Sequence, residues 1–174
     1  MTRYAALLRG VNVGGINLKM ADVTALFSGL GFDNVKTVLA SGNVLFDSRL
    51  SAAELKPQIE AALGERFGYK AWVHVLDVET IGRIIEDFPF EAEREGWHPY
   101  VIFTLDPALA SELLDWQDKL DAQFESIRPG DGVIYWTVER GNTLGSTFSK
   151  ETARAKHKAT TTTRNLRTLQ KLVR

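Results

Sequence analysis

Three glycines follow an apolar run near the N-terminus, in the stretch LLRGVNVGGIN at residues 7–17. A loop of this kind between a strand and a helix presents backbone N–H groups at the helix N-terminus, where the helix dipole favours an anion. Arg9 and Lys19 would add positive charge. The glycines match neither G-x-G-x-x-G nor G-x-x-x-x-G-K-[ST], the two common phosphate-binding patterns. The alternative is that Gly14 and Gly15 only supply the positive φ angles of a tight turn.

A second short stretch, Ser41-Gly42-Asn43, separates two runs rich in β-forming residues. It would bring a hydroxyl and an amide close to the glycine loop if both lie at strand ends of one sheet. Simple hairpin chemistry is the alternative, because Ser, Gly and Asn are the residues that such turns need. The predicted ligand-binding residues are Arg9, Gly10, Asn12, Gly14, Gly15, Lys19, Ser41 and Asn43.

The C-terminal segment is strongly basic. Residues 150–174 contain eight Lys or Arg and one acid, whereas the rest of the chain contains 13 basic and 21 acidic residues. At 100° per residue, the leucines of 166–173 fall on one side and the cations on the other. Cations beside threonines suit phosphate groups, so the predicted nucleic-acid-binding residues are Arg164, Asn165, Arg167 and Lys171. A solvated helix face, or a tail docked on the acidic body, is the alternative.

Motifs for catalysis and metal binding do not occur in the sequence. The chain has no cysteine, three scattered histidines, and no G-x-S-x-G, H-E-x-x-H or S-x-x-K pattern. The predicted strands GNVLFDS and YAALLRG lack the paired aromatic residues with which RNA-recognition motifs stack bases. Tyr135 and Trp136 in a later strand point to opposite faces, so one packs in the core while the other is available to stack a base or a partner. We therefore predict no catalytic residue, no metal and no cofactor.

Composition places the chain among ordinary globular proteins. It has 174 residues, of which 44% are hydrophobic and 25% charged, enough for one domain or two small ones. The apolar run in the opening MTRYAALLRG is too short to form a secretory or membrane-spanning segment. We predict a cytoplasmic protein without a membrane partner.

The order of predicted elements repeats. Hydrophobic periodicity and turn residues predict β-α-β-β-α-β up to about residue 76, then a short helix, an acidic connector at 86–99, and a similar order again. The later elements include a helix at 149–157 and an extended piece before the terminal helix. We predict an α+β fold of two tandem ferredoxin-like halves, 1–78 and 79–174, with antiparallel sheets and an extra C-terminal helix.

The blocks LLRGVNVGG, FDNVKTVLASGNVLF and ATTTTRNLRTLQKL, taken together, resemble the bacterial family catalogued as domain of unknown function 1697. The resemblance implies two ferredoxin-like halves and carries no established activity. Ile16 stands where many relatives have a basic residue, which weakens a direct phosphate contact by the loop. The family's patterned residues are carried by Arg9, Gly10, Asn12, Gly14, Gly15, Ser41, Gly42, Asn43, Thr163, Arg164, Asn165 and Thr168.

Three functions are compatible with these features. The first is binding of a polyanion, either nucleic acid or a phosphorylated ligand, through the glycine loop and the basic C-terminus. The second is an enzyme acting on a phosphorylated small molecule at a cleft between the halves. The third is a protein–protein assembly module.

Overall fold

The computed structural model describes residues 1–9, 18–38, 42–143, 145–154 and 160–174. The chain forms two compact units, one of residues 1–82 with 171–174 and the other of residues 83–170. The boundary predicted from the sequence, between residues 78 and 79, lies at the beginning of the helix in which the units divide. Each unit is built on one four-stranded antiparallel sheet, as the α+β prediction requires.

The first unit contains a βαββαβ order of elements. These are β1 (Thr2–Arg9), α1 (Met20–Gly29), β2 (Asp33–Val38), β3 (Asn43–Ser48), α2 (Ala52–Phe67), β4 (Trp72–Asp77) and the start of α3 (Val78–Glu86). The strand order in the sheet is β2-β3-β1-β4, so β1 is central and β4 is an edge strand. This is the order that a split βαβ fold requires.

Local sequence fixes both helices of the first unit. The Ser51 side chain accepts a hydrogen bond from the Glu54 N–H, and the Glu54 carboxylate accepts one from the Ser51 N–H, which completes a capping box for α2. Gly68 ends this helix in the left-handed conformation. The two helices cover one face of the sheet around Phe27, Phe46 and Ile59.

The second unit repeats this arrangement. Its elements are β5 (Trp97–Thr104), α4 (Pro107–Leu114), β6 (Glu125–Pro129), β7 (Val133–Glu139), α5 (Thr147–Thr152), β8 (Thr161–Asn165) and α6 (Leu166–Leu172). The strand order β6-β7-β5-β8 again places the first strand of the unit centrally. Its core joins Leu109 and Leu113 of α4 and Phe148 of α5 to the sheet residues Ile102 and Trp136.

The start of β5 corrects one prediction. The sequence assigned residues 97–99 to the connector because the stretch 86–99 contains prolines, a glycine and five acids, yet β5 begins at Trp97. Pro99 is tolerated because β5 pairs with β8 only from Tyr100 onward, whereas its pairing with β7 includes Pro99 opposite Thr137. At Pro99 the strand therefore has a partner on one side.

The C-terminal helices also differ from the predicted bounds. Helix α5 begins at Thr147, two residues before the prediction, because the Ser146 hydroxyl accepts a hydrogen bond from the Ser149 N–H. The helix ends at Thr152, and residues 155–157 of the predicted helix lie outside the described residues. The extended piece predicted before the terminal helix is β8.

The side chains of Tyr135 and Val133 lie so close to Gly130 that this position has no room for a side chain. A Cβ atom built on it would lie 2.5 Å from Tyr135 Cε2 and 2.7 Å from Val133 Cγ2. The Tyr135 ring is buried, and its hydroxyl donates a hydrogen bond of 2.8 Å to the Ile84 carbonyl. We expect Gly130→Ala to lower the free energy of unfolding by about 1–3 kcal/mol, measured by urea denaturation.

Gly29→Ala is the matched control for this substitution, because a Cβ at Gly29 meets nothing within 4 Å. In helix α1 the added methyl group leaves stability unchanged or raises it by about 0.5 kcal/mol. Equal urea midpoints for the Gly130 and Gly29 variants would contradict the packing argument.

Glu125 is a buried carboxyl group, 3% exposed, that joins three elements of the second unit. One of its oxygens accepts a hydrogen bond of 3.1 Å from Trp136 Nε1, and the other accepts one of 3.3 Å from the Phe148 N–H. Glu125→Gln places an amide N–H₂ against one of these donors. We expect a loss of about 1–3 kcal/mol in the free energy of unfolding.

The exposed Glu86 offers the control for the Glu125 variant. Glu86→Gln should change the free energy of unfolding by less than about 0.5 kcal/mol, since exposed substitutions rarely do more. If thermal and urea unfolding do not distinguish the two variants, Glu125 does not hold the core as described.

Candidate anion-binding sites

The predicted glycine-loop site is described only in part. Gly10, Asn12, Gly14, Gly15 and Ser41 lie outside the described residues. The described members are Arg9 at the end of β1, Lys19 directly before α1, and Asn43 at the start of β3. Lys19 is exposed and takes the N-cap position of α1 without a side-chain hydrogen bond to the helix.

Asn43 takes part in the β2–β3 hairpin. It is fully buried, and its Nδ2 donates a hydrogen bond of 3.0 Å to the Val38 carbonyl across the turn. It pairs with Leu7 of β1, and the Leu8 N–H donates a bond of 2.8 Å to the neighbouring Gly42 carbonyl. Gly42 and Asn43 therefore lie beside the end of β1, and the amide bond of Asn43 supports the hairpin alternative for this residue.

Arg9 lies beside an aromatic residue that the sequence reasoning did not select. In the antiparallel register Arg9 pairs with Trp72, the first residue of the edge strand β4. Paired residues project from the same face of a sheet, so both side chains leave the sheet together. Both residues are half-buried, and this burial lowers the pKa of the Arg9 guanidinium.

Two lysines lie near the Trp72 ring. Lys56 Nζ lies 5.0 Å from the ring centroid and Lys70 Nζ lies 6.0 Å from it, within the range of a cation–π interaction. Lys56 is held in place, since its Nζ donates to Glu60 at 2.7 Å and to the Val73 carbonyl at 3.0 Å. We call Arg9, Lys56, Lys70 and Trp72 the Trp72 platform.

Arg164 does not lie on the surface of the terminal helix. It belongs to strand β8, opposite Val101, and its Nη1 donates to Thr162 Oγ1 at 2.6 Å and to the Thr163 carbonyl at 3.1 Å. The side chain is buried, which lowers its pKa to about 10. The prediction that Arg164 shares the cationic face of the helix is wrong, because the helix begins two residues later.

The start of that helix is set by Asn165. Its Oδ1 accepts a hydrogen bond of 2.9 Å from the Arg167 N–H, which satisfies one of the free donors at the helix start. The helix keeps the amphipathic pattern expected of it, since Leu166, Leu169 and Leu172 are buried while Arg167 and Lys171 are exposed.

Arg167 belongs to a group of cations at the start of β5. Arg167 lies two residues after Asn165, and Asn165 pairs with Tyr100 of β5. His98 lies two residues before Tyr100, so the side chains of His98 and Tyr100 project from the same face of β5. On the other side of β5, His98 pairs with Val138, and the Arg140 N–H extends this pairing by donating a 2.7 Å bond to the Gly96 carbonyl. We call His98, Arg140 and Arg167 the basic cluster.

The electrostatics of the basic cluster agree with this geometry. The pKa of His98 is lowered by burial and by the positive charges of Arg140 and Arg167. Arg167 Nη2 lies 3.8 Å from a Glu93 carboxylate oxygen, with the two side chains 54% and 75% exposed. An exposed ion pair of this length contributes little stability, so a phosphate group can compete with Glu93 for Arg167.

The sequence could have suggested part of this cluster. The PGDG turn predicts the β6–β7 hairpin and places Arg140 at the end of β7. His98 was assigned to the connector, whose prolines, glycine and acids suggested a loop, and the pairing of β5 with β8 joins segments about 60 residues apart. The approach of Arg167 to His98 depends on that pairing, which no local pattern reveals.

Two grooves of the second unit lie outside the predicted sites. An apolar groove of about 560 Å³ runs between α4 and the β6–β7 turn, with Leu105 60% exposed at its rim. A polar groove of about 170 Å³ lies beside Glu125 and Ser146.

Within the described ranges there is no group of three or more His, Asp or Glu residues placed to hold a metal ion. In the same part of the chain, no helix has the length and apolar character to cross a membrane.

Comparison with known proteins gives a fold and a family. The structure of a conserved bacterial protein from Streptococcus pneumoniae superposes with a TM-score of 0.82 and 24% sequence identity, covering 99% of this chain and 97% of that one. This likeness shows the fold of two four-stranded antiparallel sheets with interspersed helices and a C-terminal helix. No curated protein matches the sequence. The model of a family described as "Protein of unknown function (DUF1697)" matches residues 1–135, and the chain belongs to that family.

Proposed function

We propose that this protein binds a polyanion, either nucleic acid or a phosphorylated ligand, at the basic cluster. The observation that supports the proposal is the approach of His98, Arg140 and Arg167 from three separate elements at one end of a sheet. Guanidinium groups present several N–H donors in a plane and bind phosphate oxygens in pairs. Two of them beside an imidazole form a surface that suits more than one phosphate oxygen.

Electrostatic repulsion within the basic cluster also favours an anion. Positive groups that lower the pKa of a neighbouring histidine repel its protonated form. An anion placed among them would reverse this repulsion, and the neighbouring Glu93 is too exposed to neutralise both arginines. The glycine loop and Lys171 stay predicted contributors, and the cytoplasmic location stays a prediction.

A salt titration tests the proposal. We expect binding to single- and double-stranded RNA and DNA to weaken steeply with salt, because neutralised phosphates release condensed counterions. In the double variant Arg140→Ala/Arg167→Ala, the magnitude of the slope of log K against log salt concentration should decrease by roughly 1.5. Each lost phosphate contact contributes slightly less than one unit to this slope. Fluorescence anisotropy with labelled oligonucleotides measures both quantities.

Arg128→Ala is the matched control. Arg128 is exposed on edge strand β6 of the same unit, where its Nη1 donates to the adjacent Ile127 carbonyl. This variant removes one positive charge and should leave the slope within experimental error. Binding that ignores salt, or equal slopes for the Arg128 variant and the double variant, would refute the proposal.

The pH dependence gives a second test. The pKa of His98 in the free protein is below the ordinary value of a histidine, since burial and the charges of Arg140 and Arg167 disfavour its proton. A bound polyanion favours the proton, so the pKa of His98 rises on binding and affinity increases as the pH falls through the pKa of the bound form. NMR titration of the imidazole C–H resonances with and without a single-stranded DNA oligonucleotide measures the shift. A His98 pKa that is the same in both samples would contradict contact between the ligand and the cluster.

A further inference from the structure

The Trp72 platform combines an aromatic ring with three cationic side chains in the first unit. Trp72 opens edge strand β4, pairs with Arg9, and carries Lys56 and Lys70 near its ring. The neighbouring Val73 is buried in the core between sheet and helices, whereas Trp72 is half-buried and, by strand alternation, projects from the other face of the sheet. The first unit therefore does not use this indole mainly to fill its core.

The two lysines differ in what they can do. Lys56 is fixed by Glu60 and by the Val73 carbonyl, and the same Glu60 carboxylate also accepts a bond of 3.1 Å from the Val73 N–H. This network holds the Lys56 ammonium group next to the ring. Lys70 is exposed and lies at 6.0 Å, the outer limit of a cation–π contact, so it can turn towards a ligand at little cost.

We propose that the Trp72 platform binds an unpaired nucleobase together with its phosphate group. The base stacks on the indole, and Lys70 and Arg9 contact the phosphate oxygens. An aromatic face surrounded by cations is the arrangement by which proteins hold unpaired nucleotides, because every base has a π-face and every nucleotide a negative charge. A bare phosphate would not use the ring, and a paired base in a duplex does not expose its face.

This inference does not depend on the proposed function. The Trp72 platform and the basic cluster share no residue and belong to different units. The chemistry of a base with its phosphate is common to free nucleotides and to single strands. The experiment therefore uses ATP, a single-stranded oligo(dT), a duplex of the same length, and tripolyphosphate, which has charge but no base.

We expect Trp72→Leu to weaken binding of ATP, oligo(dT) or both by about 5- to 150-fold, the range found when a stacking aromatic is removed. Trp72→Phe should restore part of the loss. Lys70→Ala should weaken the same ligand and reduce the salt slope by roughly one. Loss with ATP identifies a free-nucleotide site, whereas loss confined to oligo(dT) identifies a single-strand site.

Lys119→Ala is the matched control, because Lys119 Nζ lies 5.3 Å from the Trp116 ring in the second unit. It removes the same kind of exposed lysine–tryptophan contact and should leave all affinities unchanged. Urea midpoints of the variants check folding, and the exposed Lys70 keeps the test open if Trp72→Leu unfolds. The ligands are compared in the Arg140→Ala/Arg167→Ala background, which lacks the arginines of the basic cluster. There, equal binding of tripolyphosphate and ATP, or affinities insensitive to Trp72 and Lys70, would overturn the inference. The loss caused by Trp72→Leu should persist in that background, so the two proposals fail separately.

Discussion

The pairing of a central strand with two antiparallel neighbours is the constraint on which the rest of each unit depends. In the second unit, β5 lies between β7 and β8, and its register fixes which residues stand next to His98. A slip of one residue would turn every side chain of a strand to the other face. The same register that buries Ile102 in the core therefore places Arg140 and Arg167 on either side of β5.

The two units repeat one strand order but carry their charge at different places. In the first unit the cations surround the end of the central strand β1, where Arg9 precedes the glycine loop and pairs with Trp72. In the second unit the cations surround the beginning of the central strand β5. The two units have the same strand order but different side chains, so the two sites can bind different ligands. We infer phosphate recognition in both and base stacking only at Trp72.

The sequence predicted the architecture because its signals are local. Alternating apolar residues, the Ser51–Glu54 capping box, and the Asp106 N-cap with Pro107 each determine a few neighbouring residues. Their order in the chain then determines the fold class. Where a tertiary contact overrides the local signal, the prediction was wrong: residues 97–99 have the composition of a connector, but pairing with β7 makes them part of β5.

The candidate sites were less predictable for the same reason. The hydrophobic period of the terminal helix separated buried leucines from exposed Arg167 and Lys171, but it included Arg164, which the cap at Asn165 excludes from the helix. Neither His98 nor Arg140 belongs to a recognisable sequence motif. Lys56 of α2 and Lys70 of the turn after it come close to Trp72 only when the chain folds. Such sites follow from register and burial, which require coordinates.

If Arg140 and Arg167 bind phosphate, their own guanidinium resonances must respond to a ligand. Nitrogen-15 labelled protein can be titrated with a single-stranded oligonucleotide while the arginine Nε–Hε signals are followed by NMR. We expect saturable shifts for Arg140 and Arg167 at the same ligand concentration, with the Arg128 signal unchanged. Shifts of similar size at all three arginines, or none at Arg140 and Arg167, would contradict this binding.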